Sequence, residues 1–157
     1  GYGLFDLYGG GYEIGRAAIS HALRSMDGRD EKSILSEMVR KKAGFDLIEN
    51  LSTLISSGKN NIATYALLVY EAYKQSDKYA AQILDQHTGY LAELINTASR
   101  HFDGKYNVAL AGSIGKDPIT LEILLPKLVP EAVVSVLDCE PIYGAVSRAR
   151  VLLNKGY

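Results

Sequence analysis

The residues best suited to chemistry lie in one stretch, Ala111-Gly112-Ser113-Ile114-Gly115, between the apolar run Val108–Ala111 and Asp117-Pro118. Small side chains let a flat ring or a phosphate approach the backbone closely. Asp followed by Pro reads as a helix N-cap and first helical position, where free N–H groups and the positive dipole end favour acceptor atoms. This strand–glycine–helix junction is the best candidate for a small-ligand site in the sequence. The competing reading is plain connection, because short βα turns commonly contain glycine. It is not a Walker A loop: Gly115-Lys116 is followed by Asp117 instead of Ser or Thr, and position 110 is Leu110, not glycine.

A second glycine cluster, Gly9-Gly10-Gly11-Tyr12-Glu13-Ile14-Gly15, superficially suggests a dinucleotide fingerprint. It lacks a preceding apolar strand and the fingerprint spacing, since three residues separate Gly11 from Gly15. A glycine turn leading into a helix is the safer reading. The three histidines, His21, His87 and His101, fall far apart on separate expected helices, so no metal-ligand spacing is visible. Tyr65, Tyr70, Tyr73, Tyr79 and Tyr90 sit among aliphatic residues and read as packing groups, not as a stacking platform for bases. Cys139 lies between Asp138 and Glu140, so nothing in the sequence activates its thiol.

The bulk properties bound the answer. The chain has 157 residues, 47% hydrophobic and 22% charged, the composition of one soluble globular domain. A net charge of -1 argues against a nucleic-acid binder driven by counterion release. No apolar run approaches membrane-helix length. The first residues carry no basic flank of a signal peptide. A single cysteine rules out an internal disulfide and points to a cytoplasmic protein. The chain starts at Gly1 without Met, which reads as a removed tag or a piece of a longer protein.

The elements that must position these residues follow from periodicity. Helical spacing predicts helices over Tyr12–Met26, from Ile34 to Ala43, over Leu47–Ile55, from Ile62 to about Gln75 and over Lys78–Phe102. Asn60 and Asn61 are the expected N-caps of the fourth, and Asp77 of the fifth. The character changes at Tyr106: Val108–Ala111 and the β-branched Val133–Leu137 read as strands, each followed by a helix, Ile119–Leu128 and Ile142–Leu153. The expected fold class is α/β: residues 1–105 are a glycine turn plus helices, and residues 106–157 a short parallel two-strand βαβα unit.

The order of these segments resembles a known family. Gly10-Gly11-Tyr12-Glu13-Ile14-Gly15-Arg16-Ala17-Ala18 is similar to the GSGYWIGREAL segment of the BadF/BadG/N-acetylglucosamine kinase family. Asp27-Gly28-Arg29 stands where archaeal hexokinases of the group carry a similar DGR. Ile62-Ala63, Val69, Glu71-Ala72, Ser76-Asp77, Ala80-Ala81 and Ile83-Leu84 resemble its central helix pair. Val108–Ser113 resembles its "V.L.GG" adenosine turn, and Pro141, Gly144-Ala145 and Ala149 its closing helix.

The resemblance implies an actin-like (ribonuclease H-like) ATPase fold of two lobes, of which this chain covers an incomplete C-terminal lobe. It implies an ATP-dependent kinase acting on a sugar or amino sugar, with Mg²⁺. The phosphate loops and catalytic Asp would belong to a missing N-terminal lobe, so the chain alone would be inactive. The nucleotide would lie on Ala111, Gly112, Ser113, Ile114 and Gly115, where Ser113 replaces a family glycine and therefore needs a negative φ. Asp6, Gly10, Gly11 and Tyr12 would lie beside the sugar; the family's acidic pair is replaced by Leu7-Tyr8. The partners so implied are the sugar, ATP and the missing lobe, with a homodimer also open, and neither nucleic acid nor a membrane is expected. The alternatives are a BadF/BadG-type ATPase that activates a dehydratase or reductase, which the lone Cys139 opposes because such proteins hold an iron–sulfur cluster, and a non-catalytic helical interaction module.

Overall fold

The computed structural model describes residues 9–44 and 46–154. Nine α-helices and two β-strands appear among them. They form two compact units, one up to Leu94 and one from Ile95. No helix among the described residues is long and apolar enough to cross a membrane.

The first unit is helical. Its elements are α1 (Gly11–Met26), α2 (Ile34–Ala43), α3 (Leu51–Ser56), α4 (Lys59–Ala63), α5 (Ala66–Lys74) and most of α6 (Lys78–Ala98). Helix α1 packs against α2, α4 and α5. Its apolar stripe, Ile14, Ala18, Ile19 and Ala22, is buried with Leu35 and Val39 of α2 and Ala66, Val69 and Ala72 of α5. The stripe is rich in small residues, and at Gly15 it contains no side chain at all. A Cβ built on Gly15 would lie 2.1 Å from the carbonyl oxygen of Ile62, so α1 and α4 meet backbone to backbone.

The caps are partly as expected. Ser33 opens α2 with a capping box closed by Ser36. Asp77 does cap α6: its Oδ1 accepts from the backbone N–H of Tyr79 and of Ala80, each at 2.9 Å. Asn60 and Asn61, however, are inside α4, whose N-cap is Gly58 at φ +82°. The helix expected to run from Ile62 to Gln75 breaks at Thr64–Tyr65. At the break the backbone tightens to i→i+3 bonds, Thr64 N–H to the Asn61 carbonyl and Tyr65 N–H to the Ile62 carbonyl, and Lys42 Nζ donates to the Thr64 carbonyl at 3.0 Å and to the Thr64 hydroxyl at 2.7 Å. The segment Leu47–Ile55 is a hydrogen-bonded turn followed by the shorter α3.

In the second unit α6 passes into a 3-10 turn, Ser99–His101, so the helix stops short of Phe102. Strand β1 (Tyr106–Leu110) pairs in parallel with β2 (Ala132–Val136), in register from Tyr106 with Ala132 to Leu110 with Val136. The parallel pair agrees with the sequence reading, with β1 starting two residues earlier than Val108. Tyr106 is the reason: its ring is buried, and its hydroxyl donates to the Ile95 carbonyl at 2.8 Å. Between the strands lie α7 (Gly112–Lys116) and α8 (Pro118–Leu124). Helix α8 gives way to a 3-10 turn at Leu125–Lys127 instead of running on to Leu128. Pro126, which has no N–H to give the Glu122 carbonyl, ends the α-helical bonding, while Leu125 before it keeps helical backbone. Asn96 ties this stretch down, donating to the Lys127 carbonyl and accepting from the Val129 N–H, each at 2.9 Å. The last helix, α9 (Pro141–Asn154), is exposed along residues 142–154.

The close approach at Gly15 sets up a prediction. Gly15→Ala must push α1 and α4 apart, at a cost of about 1–3 kcal/mol, the usual range for overpacking. Gly144→Ala meets nothing within 4 Å and sits inside a helix. It should be neutral or gain about 0.5–1 kcal/mol from helix propensity. Urea unfolding of the two variants should therefore move in opposite directions or differ by at least the Gly15 cost.

Candidate functional site

The candidate site is built by the end of β1. Ala111 stays extended, and Gly112 turns the chain at φ +77° into the single turn of α7. The glycine stretch expected between strand and helix is thus a one-turn helix whose first residue takes the left-handed backbone. Glycine adopts that backbone without strain. Ser113 is free of this demand, since Ser76 is the non-glycine residue with positive φ among the described residues. The negative φ required of Ser113 is met.

The two glycines serve different ends. A Cβ on Gly112 would meet nothing within 4 Å, so the space above it is open. A Cβ on Gly115 would come within 3.3 Å of the Leu110 Cβ, so Gly115 lets α7 fold back on its own strand. Ala111, Gly112 and Ser113 are exposed, Ile114 is half-buried and Gly115 buried. Asp117 then caps α8, accepting from Ile119 N–H at 2.9 Å and Thr120 N–H at 3.4 Å, with Pro118 at the first helical position. The Leu137 N–H donates to the Leu110 carbonyl at 2.9 Å and continues the strand pairing to the rim of the turn. All five candidate residues, Ala111 to Gly115, therefore lie together at the carboxyl end of a parallel strand pair. That is the edge where open α/β sheets bind ligands. The five contain no ionisable side chain, so the turn can hold and orient a ligand without moving a proton.

The other candidates belong to the helical unit. Gly10 is the N-cap of α1, and a Cβ on Gly11 would make ordinary contact with Ala63 at 3.8 Å. The Tyr12 ring lies 5.4 Å below the Lys59 ammonium. Asp6 lies outside the described residues.

The structure also assembles a polar network that the sequence reading missed. Two of the three histidines, His21 on α1 and His87 on α6, border one groove of the helical unit. His21 is buried, stacked on Tyr79 at 3.8 Å, with Nδ1 3.2 Å from Asp30 Oδ2 and Nε2 2.9 Å from the Ser33 hydroxyl. Arg24 closes on Asp30 through two hydrogen bonds of 2.9 Å. This guanidinium holds the Asp30 carboxyl down at about 2, against the opposing effect of partial burial and with help from His21. Asp77 feels its burial first, which raises its pKa, but the Leu35 and Ala80 N–H groups, the Ser33 hydroxyl and the Tyr79 N–H outweigh it and leave the pKa lowered. The only sequence signals were the polar residues Asp30 and Ser33 at a helix start, well beyond His21 along the chain. Nothing local showed that they would fold back on it.

Comparison with known proteins bears on the fold. The chain is similar to the crystal structure of a putative N-acetylglucosamine kinase from Chromobacterium violaceum, with a TM-score of 0.61 and 24% identity over 81% of this chain and 43% of that one. The chain thus spans less than half the length of that protein. At this identity the likeness shows the fold: a mostly helical α/β arrangement of the kind found in part of that kinase-like structure. No protein-family model and no curated protein matches the chain.

The network makes stability depend on acid. Both Asp30 and Asp77 have folded-state pKa values below their ordinary 3.8, so their contribution is complete above about pH 4. It is lost as the pH falls from there toward 2, where the Asp30 carboxyl takes up its proton. The urea midpoint should fall across that window, and Asp77→Asn should flatten the slope while lowering stability at pH 7.

Proposed function

We propose that the chain is the adenosine-binding and helical part of an ATP-dependent sugar kinase, of N-acetylglucosamine kinase or hexokinase type, which transfers the γ-phosphoryl group of ATP to a sugar hydroxyl. One observation carries most of the weight: an exposed glycine turn with open space above Gly112, at the carboxyl end of a parallel strand pair. The kinase-like fold of the structural neighbour supports the same reading.

In this reading Ala111, Gly112, Ser113, Ile114 and Gly115 hold the adenine and ribose. The lack of a side chain at Gly112 fits a flat ring that must approach backbone. Bound ATP supplies the phosphoryl group. The chain's own residues bind and orient the nucleoside and shield it from water, which converts binding energy into positioning. Asp6, Gly10, Gly11 and Tyr12 stand beside the sugar. In this reading Mg²⁺ is held mainly, and the catalytic base wholly, by the rest of the kinase; among the described residues no group of three or more His, Cys, Asp or Glu side chains gathers. A second reading, a non-catalytic interaction module, draws on the exposed Ile142, Val146, Val151 and Leu153 of α9.

Calorimetric titration with ATP and ADP, with and without Mg²⁺, separates the two. The kinase reading expects binding that Gly112→Val weakens tenfold or more. Valine is strained at φ +77° and carries its methyl groups into the open space. Ser113→Gly should leave the affinity unchanged. Equal binding by Gly112→Val removes the turn as the nucleotide site and favours the interaction module, whereas no binding by either means that this chain alone does not hold nucleotide and that the ATP KM of Gly112→Val in the full-length protein decides.

A further inference from the structure

A groove of about 290 Å³ runs between α1 and α6 within the helical unit. Arg16, Arg24, Asp30, Gln82, Ile83 and His87 are among the residues that line it. Its volume is at the low end of small-molecule sites, the size of a metabolite.

Donors in the groove are in surplus. Asp30, the carboxylate of the lining, is already taken by Arg24 and His21. Arg16 uses only its Nε, on Glu13 Oε2 at 2.8 Å, and its two terminal nitrogens have no partner among the described residues. Arg24 keeps Nη1 after its two bonds to Asp30. The Gln82 amide has no partner among the described residues.

His87 is the decisive group. It is 5% exposed, and its Nδ1 accepts the Gly9 N–H at 3.4 Å. A ring whose Nδ1 accepts carries its proton on Nε2. Burial, opposed by Glu13 and reinforced by Arg16, lowers its pKa and keeps the ring neutral. That Nε2–H has no partner among the described residues, yet it is not sealed off: among them the one fully buried side-chain nitrogen or oxygen without a partner is Arg40 Nε. A nearly buried donor without a partner, opening on a groove, calls for an acceptor from outside the chain.

We propose that the α1–α6 groove binds a small hydroxylated oxyanion, a phosphate monoester or a carboxylate, whose oxygens accept from His87 Nε2–H and the outer guanidinium nitrogens of Arg16 while Gln82 and Arg24 receive its hydroxyls. The site shares no residue with the turn after β1 and does not rest on the kinase reading. Without nucleotide, ¹⁵N-edited NMR of the histidine side chains reads it directly. His87, assigned through His87→Phe, should appear as the Nε2–H tautomer. Titration with glucose 6-phosphate or gluconate should shift its signal saturably, and the arm that saturates first identifies the oxyanion. Arg16→Gln, a mostly exposed position whose melting curve checks the fold, should weaken the response tenfold or more. An equal response to uncharged glucose or to chloride at matched ionic strength would overturn the proposal. So would a Kd unchanged by Arg16→Gln, or a His87 signal that does not move.

Discussion

A methyl group on Gly15 would sit 2.1 Å from the Ile62 carbonyl oxygen, and the helical unit is arranged around that missing methyl. With no side chain between them, α1 and α4 touch through backbone. The small residues that follow, Ala18 and Ala22, keep α1 close enough for Ile14 and Ile19 to reach the buried layer of α2 and α5. Interiors packed to crystal-like density leave no slack for such a contact to lengthen locally. The position of α1 in turn determines where His21 and Arg24 stand, because both project from the same helix.

Asp77 is the second constraint, and it works through charge. One oxygen caps α6, while the other accepts the Leu35 N–H at 2.9 Å. A single carboxylate therefore satisfies free N–H groups at the starts of two helices, α2 and α6, where the dipoles also favour negative charge. Its burial raises the cost of the charge, and four hydrogen bonds outweigh that cost. Ser33, the cap of α2, borders both Asp77 and His21. The ends of α1, α2 and α6 are thus linked by one polar network instead of by apolar contact alone.

The second unit is held differently. It has a small buried set, Tyr106, Gly115, Thr120 and Leu124, and its strands are held by backbone pairing and by Asn96. Val133, Val136 and the apolar residues of α9 stay exposed. Parallel strands usually have both faces covered, so this unit presents its glycine turn on a frame with little apolar burial among the described residues.

The sequence by itself determined the local chemistry. Period-3.6 patterns marked the main helices, a short apolar run and a β-branched run the two strands, and Asp77, Asp117 and Pro118 the helix starts, because each signal acts within a few residues. The glycine turn after β1 was legible for the same reason. What only the tertiary structure decided was which distant groups meet. The helix that the pattern continued breaks at Thr64, whose carbonyl meets Lys42 from 22 residues away. Gly15 is one glycine among many until Ile62 arrives against it, and His21 and His87 border one groove only because α1 and α6 lie side by side. Hydrogen bonds and close contacts of this kind depend on distances across the fold, and no periodicity along the chain carries that information.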